Sequence, residues 1–252
     1  MGGNAMSNKR IEEFSVNAWP SLQTVLLDGW LLRFAEGYTK RSNSISALYE
    51  GGERTLADKI AESEEIYRQA GQPALFKITP FVHPGLEPLL EERGYRTIEP
   101  SLVRELDDLS AVPAPSAEYD VRVDATVTPE WVDTLRSMNG MSERDGRTTL
   151  KLFERPLMRT GFFTLYDGSV PVACGLGVAN EEYVGLFDIV TDSGRRNRGY
   201  GEQLLRHILH WAKEGGTKKS CLMVLEDNPP ANRLYEKLGY RVVYAYSYRQ
   251  RV

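Results

Sequence analysis

The residues best suited to chemistry in this chain surround two glycines, Gly199 and Gly201. The segment Arg196–Gly201 lies between an apolar run typical of a strand and an amphipathic run typical of a helix. Glycines let backbone N–H groups approach an anion closely, and the first N–H groups of a helix are unpaired and carry partial positive charge. Arg195 and two arginines within the segment add positive charge. The segment therefore predicts a binding site for a diphosphate.

Two further candidates, Asn228 and Tyr235, follow a second apolar run. Asparagine is a favoured N-cap residue and Pro229 suits the first helical position, so a helix is predicted to begin here. Tyr235 shares the apolar face of that helix with Ala231 and Leu238. Its phenol is either a proton donor or a space-filling core side chain. Asn228 either caps its helix, contacts a ligand, or does both.

The elements that must position these residues follow an alternating α/β pattern. Strands are predicted over Tyr183–Val190 and Cys221–Leu225, and a helix over Gly199–Glu214, whose apolar residues recur at helical spacing. Upstream, the Asp-Gly pair at 167–168 indicates a β-hairpin, and a helix is expected over Thr148–Met158. The glycines thus stand where a strand passes into a helix, a place suited to holding an anion.

Composition limits the class of protein. The chain has 252 residues, of which 41% are hydrophobic and 26% charged, values typical of a soluble globular protein. A net charge of -4 is unfavourable for nucleic acid as the main partner, and no apolar run reaches the ~18 residues of a membrane span. Cys174 and Cys221 lie in apolar runs and form neither a disulfide framework nor a metal set. We expect a cytoplasmic protein without nucleic-acid or membrane partners.

A segment of linker composition, Val112–Ala117, divides the sequence into predicted domains at 1–112 and 117–252. The two parts resemble each other at a constant offset of 145 residues, because Leu89–Arg96 aligns with Leu234–Arg241 without gaps. A constant offset favours a duplicated supersecondary unit over a chance match.

The first copy has lost the residues that could do chemistry. Leu90 stands at the position of Tyr235, and His83 stands at the position of Asn228. No Arg-x-x-Gly-x-Gly segment precedes its helix. We therefore expect any active site to lie in the second half.

The order and spacing of these residues resemble the GCN5-related N-acetyltransferase (GNAT) superfamily over about 119–252. That family's signature is a strand, an [Arg/Gln]-x-x-Gly-x-[Gly/Ala] turn, a helix, a second strand and an Asn-led helix that carries a tyrosine and ends in Gly-aromatic. The whole chain resembles bacterial two-domain members whose amino-terminal half is a degenerate second copy. It departs from the pattern where Ser193 and Gly194 replace a proline before the turn. The matching residues are Arg196, Gly199, Gly201, Asn228, Ala231, Leu234, Tyr235, Gly239 and Tyr240.

The resemblance implies a GNAT acyl-CoA N-acyltransferase fold of the α/β (α+β) class, with a mixed central sheet flanked by helices in two tandem copies. It implies that acetyl-CoA is the co-substrate, without a metal, and lies in an opening between the two predicted parallel strands. The backbone of Ile189, Val190 and Thr191 would pair with the pantetheine arm, and Tyr235 would be the general acid. The implied cofactor-binding residues are Ile189, Val190, Thr191, Arg196, Asn197, Arg198, Gly199, Tyr200, Gly201, Glu202, Asn228 and Tyr235.

These residues do not fix the general base. Asp188 is the favoured candidate, because a polar residue within an apolar strand usually has a reason. Glu226, Asp227 or a chain of water molecules are the alternatives. His207 and His210 lack further ligands at suitable spacing, so surface positions are favoured over a metal pair.

We expect an N-acetyltransferase that moves an acetyl group from acetyl-CoA to a primary amine of a small molecule or peptide by direct attack. A non-catalytic CoA-binding regulatory module is the alternative, and an interaction protein with two vestigial halves is disfavoured by the intact turn. A Rossmann dinucleotide site is excluded, because Leu204 replaces the third glycine. The oligomeric state is expected to be a monomer with an internal pseudo-dimer or a homodimer.

Overall fold

The computed structural model describes residues 2–251, with side chains described from Asn8 onward. The chain divides into two compact units, each made of separate stretches of sequence. The first unit contains the residues up to Val103, Val224–Pro229 and the residues from Val242 onward; the second contains Arg104–Met223 and Pro230–Arg241. The two units therefore alternate along the sequence.

The first unit is a mixed sheet with helices. Its elements are α1 (Gly2–Ala18), β1 (Gln23–Leu27), β2 (Trp30–Phe34), β3 (Ile45–Ser46), α2 (Leu56–Gln69), β4 (Leu75–Ile78), α3 (Leu86–Glu92), β5 (Tyr95–Leu106) and, last along the chain, β11 (Arg241–Arg251). The strand order is β1-β2-β3-β4-β11-β5. Strands β3 and β4 are parallel, whereas β2 is antiparallel to both its neighbours and β11 is antiparallel to β4. The core is built around Trp30, Tyr67 and Phe76.

The second unit also contains a mixed arrangement of strands, with helices. Its elements are β6 (Asp120–Asp124), α4 (Pro129–Asn139), α5 (Glu143–Leu152), β7 (Arg159–Asp167), β8 (Val170–Ala179), β9 (Tyr183–Thr191), α6 (Tyr200–Glu214), β10 (Lys219–Leu225) and α7 (Pro229–Lys237). The strand order is β6-β7-β8-β9-β10, antiparallel except for the parallel pair β9 and β10. The predicted mixed sheet flanked by helices is confirmed.

The two units repeat the same succession of elements. Each has a parallel strand pair joined through a helix, β3–α2–β4 in the first and β9–α6–β10 in the second, and each continues into a short helix, α3 or α7. A shift of 145 residues places α2 on 201–214, within α6, and β4 within β10. The predicted tandem duplication is confirmed by this correspondence.

Helix α6 is held by its apolar face. The wholly buried residues of that face are Leu204, Leu205, Ile208, Leu209 and Ala212. Gly177 of β8 permits close packing, because a methyl group there would lie 2.6 Å from Cγ2 of Ile208. Full burial of one leucine side chain is worth about 2 kcal/mol, so packing fixes α6 and, with it, the glycine turn that precedes it.

One helix differs from its prediction: α5 covers Glu143–Leu152 instead of Thr148–Met158. Ser142 caps it by accepting a hydrogen bond from the N–H of Asp145, which sets an earlier start. The helix ends ahead of Pro156, since a residue that precedes proline disfavours helical backbone. Across residues 2–251, no helix is both long and apolar enough to cross a membrane.

From Val242 onward, the last strand belongs by its contacts to the first unit. β11 pairs with β4, from Ser247↔Ile78 to Gln250↔Leu75, and so completes the sheet of the first unit. The apolar pattern of β11 indicates a strand, but the pattern carries no information about which distant strand it joins.

The predicted linker Val112–Ala117 lies along α6. Val112 is buried, and its carbonyl oxygen is 3.2 Å from Nε2 of His210. The N–H of Ser116 donates to Oε1 of Gln203 at 2.8 Å. The segment is therefore packed within the second unit.

Candidate active site

Strand β9 carries a bulge at Asp188. The register between β8 and β9 shifts after the pair Leu176↔Phe187, so Gly175 faces two residues of β9. Asp188 has a φ of 50°, in the left-handed region that is uncommon for residues other than glycine. A methyl group at Gly175 would lie 2.5 Å from Cδ1 of Ile189, so this glycine lets the bulged strand approach its neighbour.

Beyond the bulge, β9 leaves its parallel partner. In the described part of the chain, the ladder with β10 ends at the pair Leu186↔Leu222, whereas β9 continues to Thr191. The edge of β9 that follows presents N–H and C=O groups outside this ladder. Ile189 and Val190, predicted to contact a pantetheine arm, lie on this edge.

The turn between β9 and α6 has a backbone suited to an anion. Asn197 has a φ of 63°, and Gly199, the N-cap of α6, has a φ of 84°. Gly199 makes no side-chain cap, so the first N–H groups of α6 keep their capacity to bind an anion. Arg196 and Arg198 are exposed on the same turn. The turn thus combines a helix start without a side-chain cap with two exposed arginines.

The equivalent helix of the first unit begins in the opposite way. Thr55 caps α2 by accepting a hydrogen bond from the N–H of Asp58 at 3.2 Å, and its hydroxyl donates to the Asp58 carboxylate at 2.7 Å. The cap uses a donor that an anion would need, and the carboxylate repels negative charge. Of these two equivalent helix starts, the start of α6 is the one suited to a diphosphate.

Gly201 brings β9, α6 and α7 together. A methyl group at this glycine would lie 3.3 Å from Oγ1 of Thr191 and 3.4 Å from Cδ2 of Leu234. A larger side chain would push the helix start away from the end of β9. Close packing is therefore a structural reason for this glycine, independent of any ligand.

Two predicted cofactor-binding residues use their side chains for internal contacts. Tyr200 is buried and its hydroxyl donates to Oδ2 of Asp167 at 2.5 Å. The carboxylate of Glu202 accepts hydrogen bonds from Lys237 and Arg206, each at 2.5 Å, and the bond from Lys237 is the main cause of its lowered pKa. The backbone N–H groups of Tyr200 and Glu202 are the groups left to meet a cofactor.

Tyr235 is the buried residue of α7. Its ring centroid lies 5.8 Å from that of Tyr240, and burial raises the pKa of its phenol to about 12. The hydroxyl therefore keeps its proton at neutral pH. Asn228 is exposed just ahead of α7 and belongs by its contacts to the first unit.

The three candidate bases differ in burial. Asp188 is half-buried at the bulge, whereas Glu226 and Asp227 are exposed. Burial, together with the nearby carboxylate of Asp188, raises the pKa of the Cys174 thiol, so this cysteine stays protonated. A half-buried carboxylate on β9 is better placed to remove a proton in a sheltered site than a fully hydrated one.

The two histidines of α6 take part in packing. His207 and His210, expected at the surface, are both half-buried. Nε2 of His210 is within hydrogen-bonding distance of the carbonyl of Val112. Burial lowers the pKa of His207. Among the residues that the structure describes, no group of three or more histidine, cysteine, aspartate or glutamate side chains is placed to hold a metal ion.

Two side chains that contact predicted site elements, Asp167 and Arg104, are not identified from the sequence. The sequence marks Asp167 only as a turn residue, although it bonds to Tyr200. Arg104 is buried and donates to Asn232 and Glu236 of α7. No local pattern marks this arginine, but the 145-residue offset aligns it with a second arginine on β11.

Comparison with known proteins places this chain in the GNAT superfamily of acyltransferases. A family model described as "Probable histone acetyltransferase Rv0428c C-terminal" matches residues 7–249, and the chain belongs to this family.

Relatives agree over nearly the whole chain. The chain is 26% identical over 243 residues to the uncharacterized N-acetyltransferase YobR of Bacillus subtilis (strain 168), covering 96% of this chain and 97% of YobR. A GCN5-related N-acetyltransferase from Kribbella flavida matches with a TM-score of 0.71 at 14% identity, over 99% of this chain and 95% of its own. A tandem GNAT protein from the clavulanic acid biosynthesis pathway matches with a TM-score of 0.63 at 17% identity, over 76% of this chain and 68% of its own. The chain is an acyltransferase of the GNAT type.

Proposed function

We propose that the second unit transfers an acetyl group from acetyl-CoA to a primary amine by direct attack of the amine on the thioester carbonyl. The observation that carries the proposal is the start of α6, where Gly199 leaves the first N–H groups without a side-chain cap beside Arg196 and Arg198. Acetyl-CoA brings a diphosphate, which such a helix start binds without a specific side chain.

The edge of β9 supports binding of the pantetheine arm. Its ladder with β10 ends at Leu186, and the bulge at Asp188 turns the strand that follows. The amides of the arm can pair with the backbone of Ile189, Val190 and Thr191 as an added strand would. An N–H group near Val190 is then a suitable donor to the oxyanion that forms during attack.

The acceptor amine must lose a proton, because only the free amine is nucleophilic. Asp188 is our candidate base, since its carboxylate is half-buried on the strand that would hold the thioester. Glu226, Asp227 and a chain of water molecules are the alternatives.

Tyr235 is our candidate donor to the departing sulfur. A phenol with a pKa of about 12 is a weaker acid than an ordinary thiol, whose pKa is about 8.5. Tyr235 therefore stabilises the developing thiolate chiefly by a hydrogen bond, and complete proton transfer from the phenol is uphill. A hydrogen bond to a charged group contributes about 1.5–3 kcal/mol.

The acceptor is a small molecule or a peptide. The name of the matching family, a probable histone acetyltransferase, makes a lysine-bearing peptide one acceptor to test. The net charge of -4 is compatible with a cationic amine approaching the protein.

Thermal unfolding with acetyl-CoA tests the donor site. A ligand at about 100 times its dissociation constant stabilises the native protein by roughly 2.7 kcal/mol. We expect a rise in Tm in the wild type that is absent in Gly199→Glu, which places a carboxylate at the helix start. Gly140→Glu is the matched control, because Gly140 also has a positive φ, of 74°, with open space around it, but ends α4.

Release of CoA thiol from acetyl-CoA, with a lysine peptide and with spermidine as acceptors, tests the transfer itself. Turnover in the wild type and the Gly140→Glu control, with loss in Gly199→Glu, supports the proposal. An acetyl-CoA shift without turnover on a broad amine panel would favour the regulatory CoA-binding module. The absence of a Tm shift with acetyl-CoA in the wild type would contradict the proposed acetyl-CoA site.

A further inference from the structure

Arg104, near the end of β5, joins helix α7 through two hydrogen bonds. Its side chain is only 5% exposed. Nε donates to Oδ1 of Asn232 at 3.1 Å, and Nη2 donates to Oε1 of Glu236 at 2.8 Å. Asn232 and Glu236 are four residues apart and so lie on one face of the helix. Tyr235 lies between them in the sequence.

Helix α7 packs through a narrow apolar face, in which Leu234 lies close to Gly201. It spans nine residues, and Tyr235 is its buried residue. Because most helical stability comes from a packed apolar face, the rotation of so short a helix about its axis depends also on its polar contacts. The fork of a guanidinium group, bonded at two points one turn apart, fixes that rotation. This clamp, formed by Arg104 with Asn232 and Glu236, therefore helps to orient the helix that carries Tyr235.

The first unit contains a similar arrangement of an arginine and two helix residues at the same offset. Arg249 of β11, aligned with Arg104, is also largely buried and pairs with Glu87 and, at 3.6 Å, with Glu91 of α3. These two glutamates align with Asn232 and Glu236. The residue between them that corresponds to Tyr235 is Leu90. The duplication thus supplies one clamp over a tyrosine and one over a leucine.

We propose that Arg104 is a positioning residue for the reaction, acting through Tyr235, whereas Arg249 is its purely structural counterpart. This inference rests on the proposed role of Tyr235 as donor to the departing sulfur. It also gives the end of β5 a role in the reaction, because Arg104 lies within the predicted first domain, 1–112, but belongs by its contacts to the second unit.

Amide hydrogen exchange tests the clamp without requiring activity. Arg104→Met should raise the exchange of α7 amides at least tenfold, and Arg249→Met should raise exchange in α3 and leave α7 unchanged. Glu236→Ala, whose side chain is 59% exposed, removes one arm of the clamp without disturbing the core and should give an intermediate rise in α7. Unchanged exchange of α7 in folded Arg104→Met and Glu236→Ala would overturn the clamp.

A double-mutant cycle tests whether Arg104 affects the reaction through Tyr235. CoA release is measured with the better of the lysine peptide and spermidine. Arg104→Met should lower kcat at least tenfold and leave the KM for acetyl-CoA within about twofold. Added to Tyr235→Phe, it should cause no further loss. Arg104→Lys, which keeps the charge but not the fork, should restore part of kcat.

The outcomes distinguish the positioning role of Arg104 from the proposed role of Tyr235 as donor to the departing sulfur. Arg249→Met with a kcat within about twofold of wild type supports the assignment of the two arginines. A full additional loss from Arg104→Met in the Tyr235→Phe background would show that Arg104 acts independently of the phenol, and would overturn the inference. Wild-type kcat in Tyr235→Phe would instead overturn the proposed donor role, whatever hydrogen exchange shows for α7.

Discussion

At the scale of single residues, Tyr235 and Leu90 form an informative pair, because they occupy equivalent positions in the two units. Both side chains are buried, so this site of the fold accepts either one, and packing alone does not require the hydroxyl. Burial raises the pKa of the Tyr235 phenol to about 12. A polar group that is costly to bury and dispensable for packing is a candidate for function.

The pH dependence of Tyr235→Phe follows from this pKa. Because burial raises it, the phenol remains protonated up to about pH 11. We expect Tyr235→Phe to lower kcat about ten- to hundredfold. The loss should be constant between about pH 7 and 10, because Tyr235 of the wild type stays protonated throughout this range. Profiles of kcat against pH for the wild type and for Tyr235→Phe give the ratio of the two kcat values at each pH. A ratio that approaches one as pH rises from about 8 to 10 would show that the phenol ionises near its ordinary pKa.

Sequence spacing predicts which residues gather at the site, but not all of their contacts. Gly199 and Gly201 are predictable, because the backbone at a strand-to-helix turn restricts residue type locally. The bonds from Tyr200 to Asp167 and from Lys237 to Glu202 are not predictable in this way. They join residues from different elements, and no periodicity reports such pairs.

At the scale of elements, the starts of α2 and α6 differ in their capping, and the proposed function predicts that only α6 binds acetyl-CoA. The Thr55 cap and the Asp58 carboxylate close the start of α2, whereas Gly199 leaves α6 open. The duplicated fold has therefore kept its architecture in both halves and a helix start without a side-chain cap in one.

Calorimetric titration should give one acetyl-CoA per chain. Thr55→Ala should leave this stoichiometry unchanged, because Asp58 still repels an anion, and should cost about 1 kcal/mol of unfolding free energy through loss of the cap. Urea unfolding provides the second measurement. Two equivalents bound by the wild type would show that the start of α2 also accepts the donor.

The contact between α6 and β8 predicts a stability effect at Gly177. A methyl group at this position would lie 2.6 Å from Cγ2 of Ile208, so Gly177→Ala should lower the unfolding free energy by about 1–3 kcal/mol through overpacking. Gly194→Ala is the control, because its new methyl group would meet Asp192 at an ordinary 3.5 Å. Equal stability of the two variants in urea would contradict the close packing of α6.

Most elements are predictable because their apolar residues recur with a clear period. The α5 helix is misplaced from sequence because its start depends on Ser142, a capping residue that stands outside the apolar pattern. Strand β11 is predictable as a strand, yet its pairing with β4 is a long-range choice that local periodicity does not encode.

At the scale of the whole molecule, each unit draws on residues from distant parts of the sequence. The first unit includes Val224–Pro229 and the residues from Val242, so its chain is interrupted by the second unit. Strands β5 and β10 each begin in one unit and end in the other, so unfolding of one unit disrupts a strand that the other unit also uses.

Unfolding in urea should therefore be a single transition. Trp19→Phe/Trp30→Phe leaves fluorescence reporters in the second unit, and Trp131→Phe/Trp211→Phe leaves them in the first. Within each variant, the midpoint from fluorescence should coincide with the midpoint from circular dichroism of the whole chain. Separate midpoints in either variant would show that the units unfold independently.

The place of β11 in the sheet also has a consequence for synthesis on the ribosome. β11 lies between β4 and β5, yet it is the last of the described elements to be translated. At roughly 5–20 residues per second, the interval between β5 and β11 lasts on the order of ten seconds. During that time the nascent first unit exposes two strand edges that invite pairing with other chains. The unit whose translation begins first is therefore the last to be completed.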